Sequence, residues 1–265
     1  FVNNKSVILN FLLKKYKDDK VIVHFHNKYL KSSLLNQKNV KKIIHYHSEP
    51  PRVMLSVPRD YYRLVLNQYH CNLNEYRGCH IVRNSFYNDK KIIFNNKIKI
   101  GYYPSTIKSH NKYYDKGYSE TLQILYKVFK KHPNVIIDVK HGISYEECIN
   151  RKRDCHILID ECKTGSFHKT TLEGLSLGCI VIVNISKELV DIHKKLYDRE
   201  LPVVNTDFSR LEYTLDILLS SKKSLLEKMA IKKMNIFKKY WNNKIVASEF
   251  YSIYNKINED LPKKP

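Results

Sequence analysis

The chain has 265 residues, with 47 Lys and Arg against 26 Asp and Glu, for a formal net charge of +21. Hydrophobic residues make up 43%, and there are only 7 Gly and 8 Pro. A packed core is therefore expected, and a disordered, collagen-like or low-complexity chain is excluded.

Taken in chain order, helical spacing predicts a first helix over 4–15. Its apolar stretch VILNFLL runs into Lys14 and Lys15, so it reads neither as a secretory signal nor as a membrane span of roughly 20 residues. Short runs rich in β-branched residues then predict strands over 20–25, 41–46, 63–68 and 79–83. The aromatic run YYRLVLNQYH (61–70) reads as sheet core, because its aromatic and basic residues do not interleave along one face as a base-stacking platform requires. The polar, Asn-rich segment 85–97 reads as a linker. Beyond it, strands at 98–103, 134–139, 156–160, 179–184 and 202–205 alternate with helices at 117–131, 144–151, 168–177, 186–197 and 207–220. Helices at 223–240 and 243–259 follow. Continuous apolar strands are buried on both faces, as in parallel sheets flanked by helices, and the alternation implies a doubly wound α/β fold. Three parts are expected: a short N-terminal domain at 1–90, a Rossmann-like domain at 98–242, and a C-terminal segment at 243–265.

The six cysteines, Cys71, Cys79, Cys148, Cys155, Cys162 and Cys179, form no C-x-x-C pair. That argues against a disulfide framework or a structural zinc site and for a reducing, cytoplasmic compartment. A surplus of +21 produces a positive field that steers polyanions such as nucleic acid or anionic lipid headgroups. The alternative is that the lysines only solvate helix faces. In the densest run, Lys222 to Lys244, the residues Leu225, Met229, Ile231, Met234 and Phe237 keep helical spacing, which places the lysines on the outer faces.

Chemistry concentrates at DECKTGSFHKTTLEGLSLGCIVIVN (160–184): a strand ends at Asp160, a loop carries Gly165 and Ser166, a helix opens near His168, and Gly178 turns the chain into the next strand. Open α/β sheets bind ligands at the carboxyl ends of their strands, and a helix N-terminus there suits a diphosphate. Thr170 and Thr171 supply hydroxyl donors, and Glu173 can accept from ribose hydroxyls. The plainer reading is an ordinary βαβ crossover with a capping side chain.

Two H-x-H pairs, His24/His26 and His45/His47, lie on predicted strands, where residues i and i+2 face one side. The spacing suits a metallohydrolase. His132, His141, His168 and His193 do not complete an evident ligand set, so no metal is expected. His24 and His45 read as strand histidines bonded to backbone. His47 reads as substrate-facing, at the head of the loop SEPP. Arg52, Arg59 and Arg83 could each grip phosphate and read more simply as surface residues.

LEGLSLGCIVIV resembles the E-A-M-A-x-G-x-P-V-I signature of GT-B glycosyltransferases of the retaining, nucleotide-sugar-dependent group, with Glu173 to Gly178 on the motif. IKIGYYPSTIKSHNKYYDKGYSETLQIL (98–125) resembles the opening of that family's C-terminal domain, with Lys116-Gly117 on the pair whose lysine contacts the donor diphosphate. HIVRNSF (80–86) resembles the junction element, and IIHYHSEPP (43–51) the strand and loop whose histidine lies near the transferred sugar, here His47-Ser48. The resemblance implies an α/β fold of two Rossmann-like domains (GT-B), the N-terminal one reduced or truncated, with the last helix packed back on it. It implies a metal-independent glycosyltransferase without cofactor, using a UDP-sugar in preference to a GDP-sugar. His47 and Lys116 would serve catalysis. Glu173, Gly165, Ser166, Thr170, Thr171 and Glu161 would hold the donor, and Ser48 and Arg52 would lie on the acceptor side. Two departures stand out. The family's first glutamate of E-x7-E falls on Gly165, leaving Glu161, Asp160 or loop amides to substitute, and Pro104-Ser105 stand where relatives carry an arginine. The expected acceptor is a glycan or lipid-linked molecule, with DNA as the alternative, at a cytoplasmic or membrane-peripheral location. The competing reading is a basic nucleic-acid-binding protein that keeps the fold.

Overall fold

A computed structural model describes residues 2–84, 86, 94, 97–107 and 115–259. Most of the expected linker at 85–97 lies outside the described residues, as do 108–114 and 260–265. The chain divides into two units: residues 1–84 with 244–265, and residues 85–243.

Unit 1 begins with helix α1 (Val2–Lys15) and continues through four parallel strands, β1 (Val21–His26), β2 (Val40–Tyr46), β3 (Tyr61–Leu66) and β4 (His80–Val82), paired in sequence order. Short 3-10 turns at Ser33–Asn36, Pro50–Arg52, Tyr69–Asn72 and Asn74–Tyr76 lie between these strands. Strand alternation sorts the side chains by face. Phe25, Ile44, Tyr46, Tyr61 and Val65 bury against Leu13 of α1. Ile43, Leu64, Leu66 and Val82 form the other core, with Ile22 at its edge. That second face is covered by the C-terminal helix α8 (Asn243–Glu259), through Ile257 and the partly buried Phe250, Ile253 and Tyr254. Arg83 and Glu249 of α8 pair at 3.3 Å on the same side. The stripe of apolar residues in the last helix therefore closes the first sheet, although nearly 160 residues of chain lie between them.

Unit 2 carries a five-stranded parallel sheet in the order β6-β5-β7-β8-β9. The strands are β5 (Lys99–Tyr102), β6 (Ile136–Val139), β7 (Ile157–Ile159), β8 (Ile180–Val183) and β9 (Val204–Asn205). The helices between them are α2 (Tyr118–Lys131), α3 (Tyr145–Lys152), α4 (Lys169–Leu177) and α5 (Lys187–Tyr197), and α6 (Phe208–Ser220) and α7 (Lys223–Tyr240) follow. Ser144, Ser186 and Asp207 cap the N-termini of α3, α5 and α6, each accepting a backbone N–H two or three residues into its helix. The central strands β7 and β8 are wholly buried, as their unbroken apolar runs require.

The strip that seats α7 differs from the expected one. Leu226, Ala230, Met234 and Phe237 are buried, whereas Leu225 is exposed. Met234 and Phe237 are buried as expected, but in the first half of the helix Leu226 and Ala230 take the places expected for Leu225 and Met229, with Met229 and Ile231 only partly buried beside Ala230. Helix α4 lies unusually close to the sheet. A Cβ on Gly174 would stand 2.6 Å from Leu158 and 2.8 Å from Val181, closer than any side chain tolerates. Gly174→Ala is therefore expected to cost about 1–3 kcal/mol by overpacking. The single Trp241 is fully buried in unit 2, so the urea midpoint of its fluorescence transition measures this directly.

Candidate functional site

The carboxyl ends of β5 and β6 and the N-terminus of α4 surround a cavity of about 510 Å³. Its wall comprises Tyr103, Pro104 and Ser105 after β5, Lys140 to Ile143 after β6, and Tyr145, Cys148 and Lys152 of α3. Lys116, His168, Lys169, Thr170 and Glu173 complete it. Two hollows of similar size in unit 1 lie around Lys42, Asp60 and Tyr61, near the amino ends of β2 and β3, away from the ends where parallel sheets place ligand groups.

The floor of the cavity is electrostatic. Asp160, just beyond β7, is buried, and its carboxylate accepts from Lys116 Nζ at 3.1 Å, from the backbone N–H of His168 at 2.8 Å and from Thr171 Oγ1 at 2.8 Å. Burial opposes its ionisation, but the Lys116 ammonium and the His168 and Thr171 donors outweigh it and hold the carboxyl well below the usual range. Lys116 is aimed by its neighbour. Gly117 has φ of +63°, and a Cβ there would stand 2.1 Å from the Phe208 ring, so only glycine lets the chain turn from Lys116 into α2.

A second buried pair lies one helical turn into α4. Lys152 Nζ is 2.5 Å from Glu173 Oε2 and 3.2 Å from Thr170 Oγ1, with both charged side chains 3% exposed. Burial alone would lower the Lys152 pKa, but the Glu173 carboxylate beside it outweighs this and raises it. The other Glu173 oxygen, Oε1, lies 3.8 Å from Lys169 at the cavity rim. At the start of α4 the His168 N–H donates to Asp160 and the Thr171 N–H to the His168 carbonyl at 3.0 Å, while the amides of Lys169 and Thr170 precede the first intrahelical bond, at the cavity wall that also carries Lys116. The arrangement can hold a small polyanion against cationic side chains and backbone N–H groups, with a carboxylate oxygen set to accept from hydroxyls.

The cavity thus brings together Lys116, Thr170 and Glu173 of the residues expected at the donor. Others are engaged elsewhere. Glu161 is buried and accepts from the N–H groups of Lys163 and Thr164 and from Thr164 Oγ1, so its carboxylate closes its own loop. Ser166 is buried and donates to the Phe167 carbonyl. Thr171 donates inward to Asp160, and Gly165 lies against Ser186, whose N–H it accepts at 2.8 Å. These four residues support the loop from behind rather than line the cavity. Lys152 was not foreseen: as the last residue of a short helix, it carries no local signal that sets it apart from a surface lysine.

The residues expected on the acceptor side lie in unit 1. Ser48 Oγ accepts from Asn27, and the Ser48 carbonyl accepts from the Tyr76 hydroxyl. Arg52 is mostly exposed and pairs with Glu49 at 3.1 Å. His47 donates its backbone N–H to Asn27 and sets its ring Nε2 2.6 Å from His26 Nδ1. Parallel pairing places His26 beside His45, so His24, His26, His45 and His47 share one face at the carboxyl ends of β1 and β2. His45 and His47 rings are 3.9 Å apart between centroids, His24 and His26 4.7 Å. The two H-x-H pairs, read separately in the sequence, form one cluster. Burial first, and then the neighbouring imidazoles, push His24 and His47 down to about 4.

The comparisons fit this architecture. A Rickettsia africae ESF-5 glycosyltransferase superposes with a TM-score of 0.61 at 14% identity, over 97% of this chain and 81% of that one. The GtfA/B complex gives 0.60 at 8% identity, over 97% and 61%. S. aureus TarM, in a complex that includes UDP, gives 0.57 at 9% identity, over 82% and 56%. The chain thus spans less than two thirds of the length of GtfA/B and TarM. No protein-family model and no curated protein sequence matches the chain. The fold is the GT-B fold of glycosyltransferases, with one Rossmann-like sheet in each unit. Among the described residues, no helix is long and apolar enough to cross a membrane.

The histidine cluster makes stability pH-dependent in a defined direction. The unfolded chain protonates His24 and His47 near 6.5 and the folded chain only near about 4, so the unfolded state binds more protons in between. Stability is then full above 6.5 and falls as pH drops towards about 4. Thermal unfolding followed by circular dichroism in chelator-containing buffer should show Tm declining through that window. The decline should flatten in a His24→Gln/His47→Gln variant, whereas an equally steep decline would assign it to other groups.

Proposed function

We propose that the chain is a glycosyltransferase that takes a nucleoside diphosphate sugar, a UDP-sugar in preference to a GDP-sugar, into the cavity of unit 2. The observation that carries this reading is the convergence of Lys116, Lys169, the α4 N-terminus and Glu173 around one cavity, at the strand ends where this fold places ligands. The UDP complex of TarM supports the choice of nucleotide. In this reading Lys116, Lys169 and the α4 amides hold the diphosphate, and Glu173 Oε1 accepts from the ribose. Transfer proceeds with retention, as the sequence resemblance implies, and needs no metal at the donor. Negative charge grows on the diphosphate as the glycosidic bond breaks. A fixed ammonium and fixed helix amides stabilise that change without reorganising. Asp160 keeps Lys116 in place, and His47, in unit 1, orients the acceptor.

Glu173→Gln keeps the shape and a hydrogen-bond acceptor for Lys152 but removes the charge. It should weaken UDP binding by about 1–2 kcal/mol, the difference between charged and neutral hydrogen bonds. Calorimetry showing unchanged affinity would remove Glu173 from the ribose. Lys116→Met should lower kcat for donor hydrolysis or transfer more than it lowers donor affinity, because its interaction strengthens in the transition state. Equal losses in both would make it a ground-state binding residue only.

For the acceptor, we favour a glycan or lipid-linked molecule over DNA. In α1, Val7, Ile8 and Phe11 are 58–66% exposed and Leu12 43%, flanked by exposed Lys5, Lys14 and Lys15. An apolar stripe edged with lysine suits an anionic membrane surface. Sedimentation with phosphatidylserine vesicles should retain the protein at low salt and release it as salt rises, and Phe11→Ser should reduce retention. Preferential binding to duplex DNA would favour the nucleic-acid acceptor instead.

A further inference from the structure

We propose that unit 1 contains a divalent transition-metal site, of the zinc class, formed by His24 and His26 of β1 and His45 of β2, with His47 beside them. One ring nitrogen from each of His24, His26 and His45 lies within 4.8 Å of the others. Imidazoles on a tetrahedral zinc, with Zn–N near 2.0–2.1 Å, stand about 3.4 Å apart. Small side-chain rotations cover that difference. The ring centroids are spaced at 4.7, 5.5 and 5.7 Å, so the three rings are already neighbours.

Three further observations favour a metal over simple packing of aromatic rings. First, His24 is oriented in the way metal ligands usually are. Its Nδ1 lies 2.6 Å from the Tyr254 hydroxyl of α8, while its Nε2 is buried without a hydrogen-bond partner. A second-shell partner on one ring nitrogen fixes the tautomer and presents the other to the ion. Second, His26 Nδ1 lies 2.6 Å from His47 Nε2, so His47 can fix the His26 tautomer and leave the other ring nitrogen for the ion. Third, the ligands come from two paired strands in fixed register, His26 opposite His45, which positions them more rigidly than a loop would.

A set made of imidazole alone selects borderline ions such as zinc, nickel or copper over magnesium and calcium, which prefer oxygen. Three histidines leave a fourth position for an oxygen or nitrogen ligand. The proposal does not depend on the donor cavity, whose residues all belong to the other unit.

The test uses the full chain and zinc alone, titrated in competition with a chromophoric chelator. One equivalent should bind. His24→Gln and His45→Gln should each weaken binding beyond the roughly 10–100-fold typical for loss of a second-shell partner, and Tyr254→Phe should weaken it within that range. His132→Gln, in unit 2, should leave it unchanged. Cobalt(II) in place of zinc should give the intense visible absorption of a tetrahedral centre, lost in His24→Gln. UDP affinity, measured with and without zinc, reports unit 2 separately: its failure would count against the donor reading and leave the metal site standing. Substoichiometric zinc, or equal zinc affinity in the wild type and both ligand variants, would overturn the site. If the ligand variants fail to fold, Tyr254→Phe, which keeps the packing of α8, decides between the two outcomes by its own affinity.

Discussion

Asp160 sets the terms for unit 2. A carboxylate with 2% of its surface exposed stays ionised only if its surroundings replace the water it lost, and otherwise costs several kcal/mol. Its replacements are three donors from two separate stretches of chain: the Lys116 ammonium before α2, and the His168 N–H and Thr171 hydroxyl in the first turn of α4. Satisfying one buried group therefore fixes the lysine, the loop and the helix N-terminus relative to one another. Those are the parts a diphosphate would meet. The Lys152–Glu173 pair does the same one turn deeper, anchoring α3 to α4 while leaving one carboxylate oxygen towards the rim.

Both units follow from the same property of parallel sheets. Apolar residues fill the central strands β7 and β8 and most of their neighbours, and polar groups collect where the strands end. In unit 1 the face under α8 is apolar through Ile22, Ile43, Leu64 and Leu66, then becomes imidazole at His24, His26, His45 and His47. In unit 2 the apolar runs of β7 and β8 give way to Asp160 and Glu161 and to Asn184. The two ends carry different chemistry. The cavity of unit 2 is cationic with a carboxylate at its side, whereas unit 1 offers clustered neutral nitrogen donors.

Much of this was legible in the sequence, and the exceptions have physical causes. All nine strands and all eight helices of the described residues fall where apolar runs and helical spacing place them. Continuous burial leaves a strong local mark. The strand–loop–helix unit at 156–178 could be read because a strand end, a helix start and the Gly178 turn are each local signals. The roles of Glu161, Ser166 and Thr171 could not, because whether a loop side chain faces a cavity or braces its own loop depends on contacts outside the local sequence. Lys152 was hidden because its partner, Glu173, lies 21 residues away. The histidine cluster was half visible. Each H-x-H pair is a local pattern, but their union depends on the β1–β2 register, which no single strand encodes. The first half of the α7 strip differs from the expected one, while Met234 and Phe237 keep their places, because Ala230, small enough to lie against the core, carries little weight in an apolar count.

The central claim is that the cavity of unit 2 binds a nucleoside diphosphate. Hydrogen–deuterium exchange of the full chain with and without UDP tests it most directly, because it locates the ligand without assuming an acceptor. The account predicts slowed exchange in peptides covering 103–105, 115–120, 140–145 and 166–173, with the peptides of β1 and β2 unchanged. Protection confined to unit 1, or no protection at saturating UDP, would contradict it.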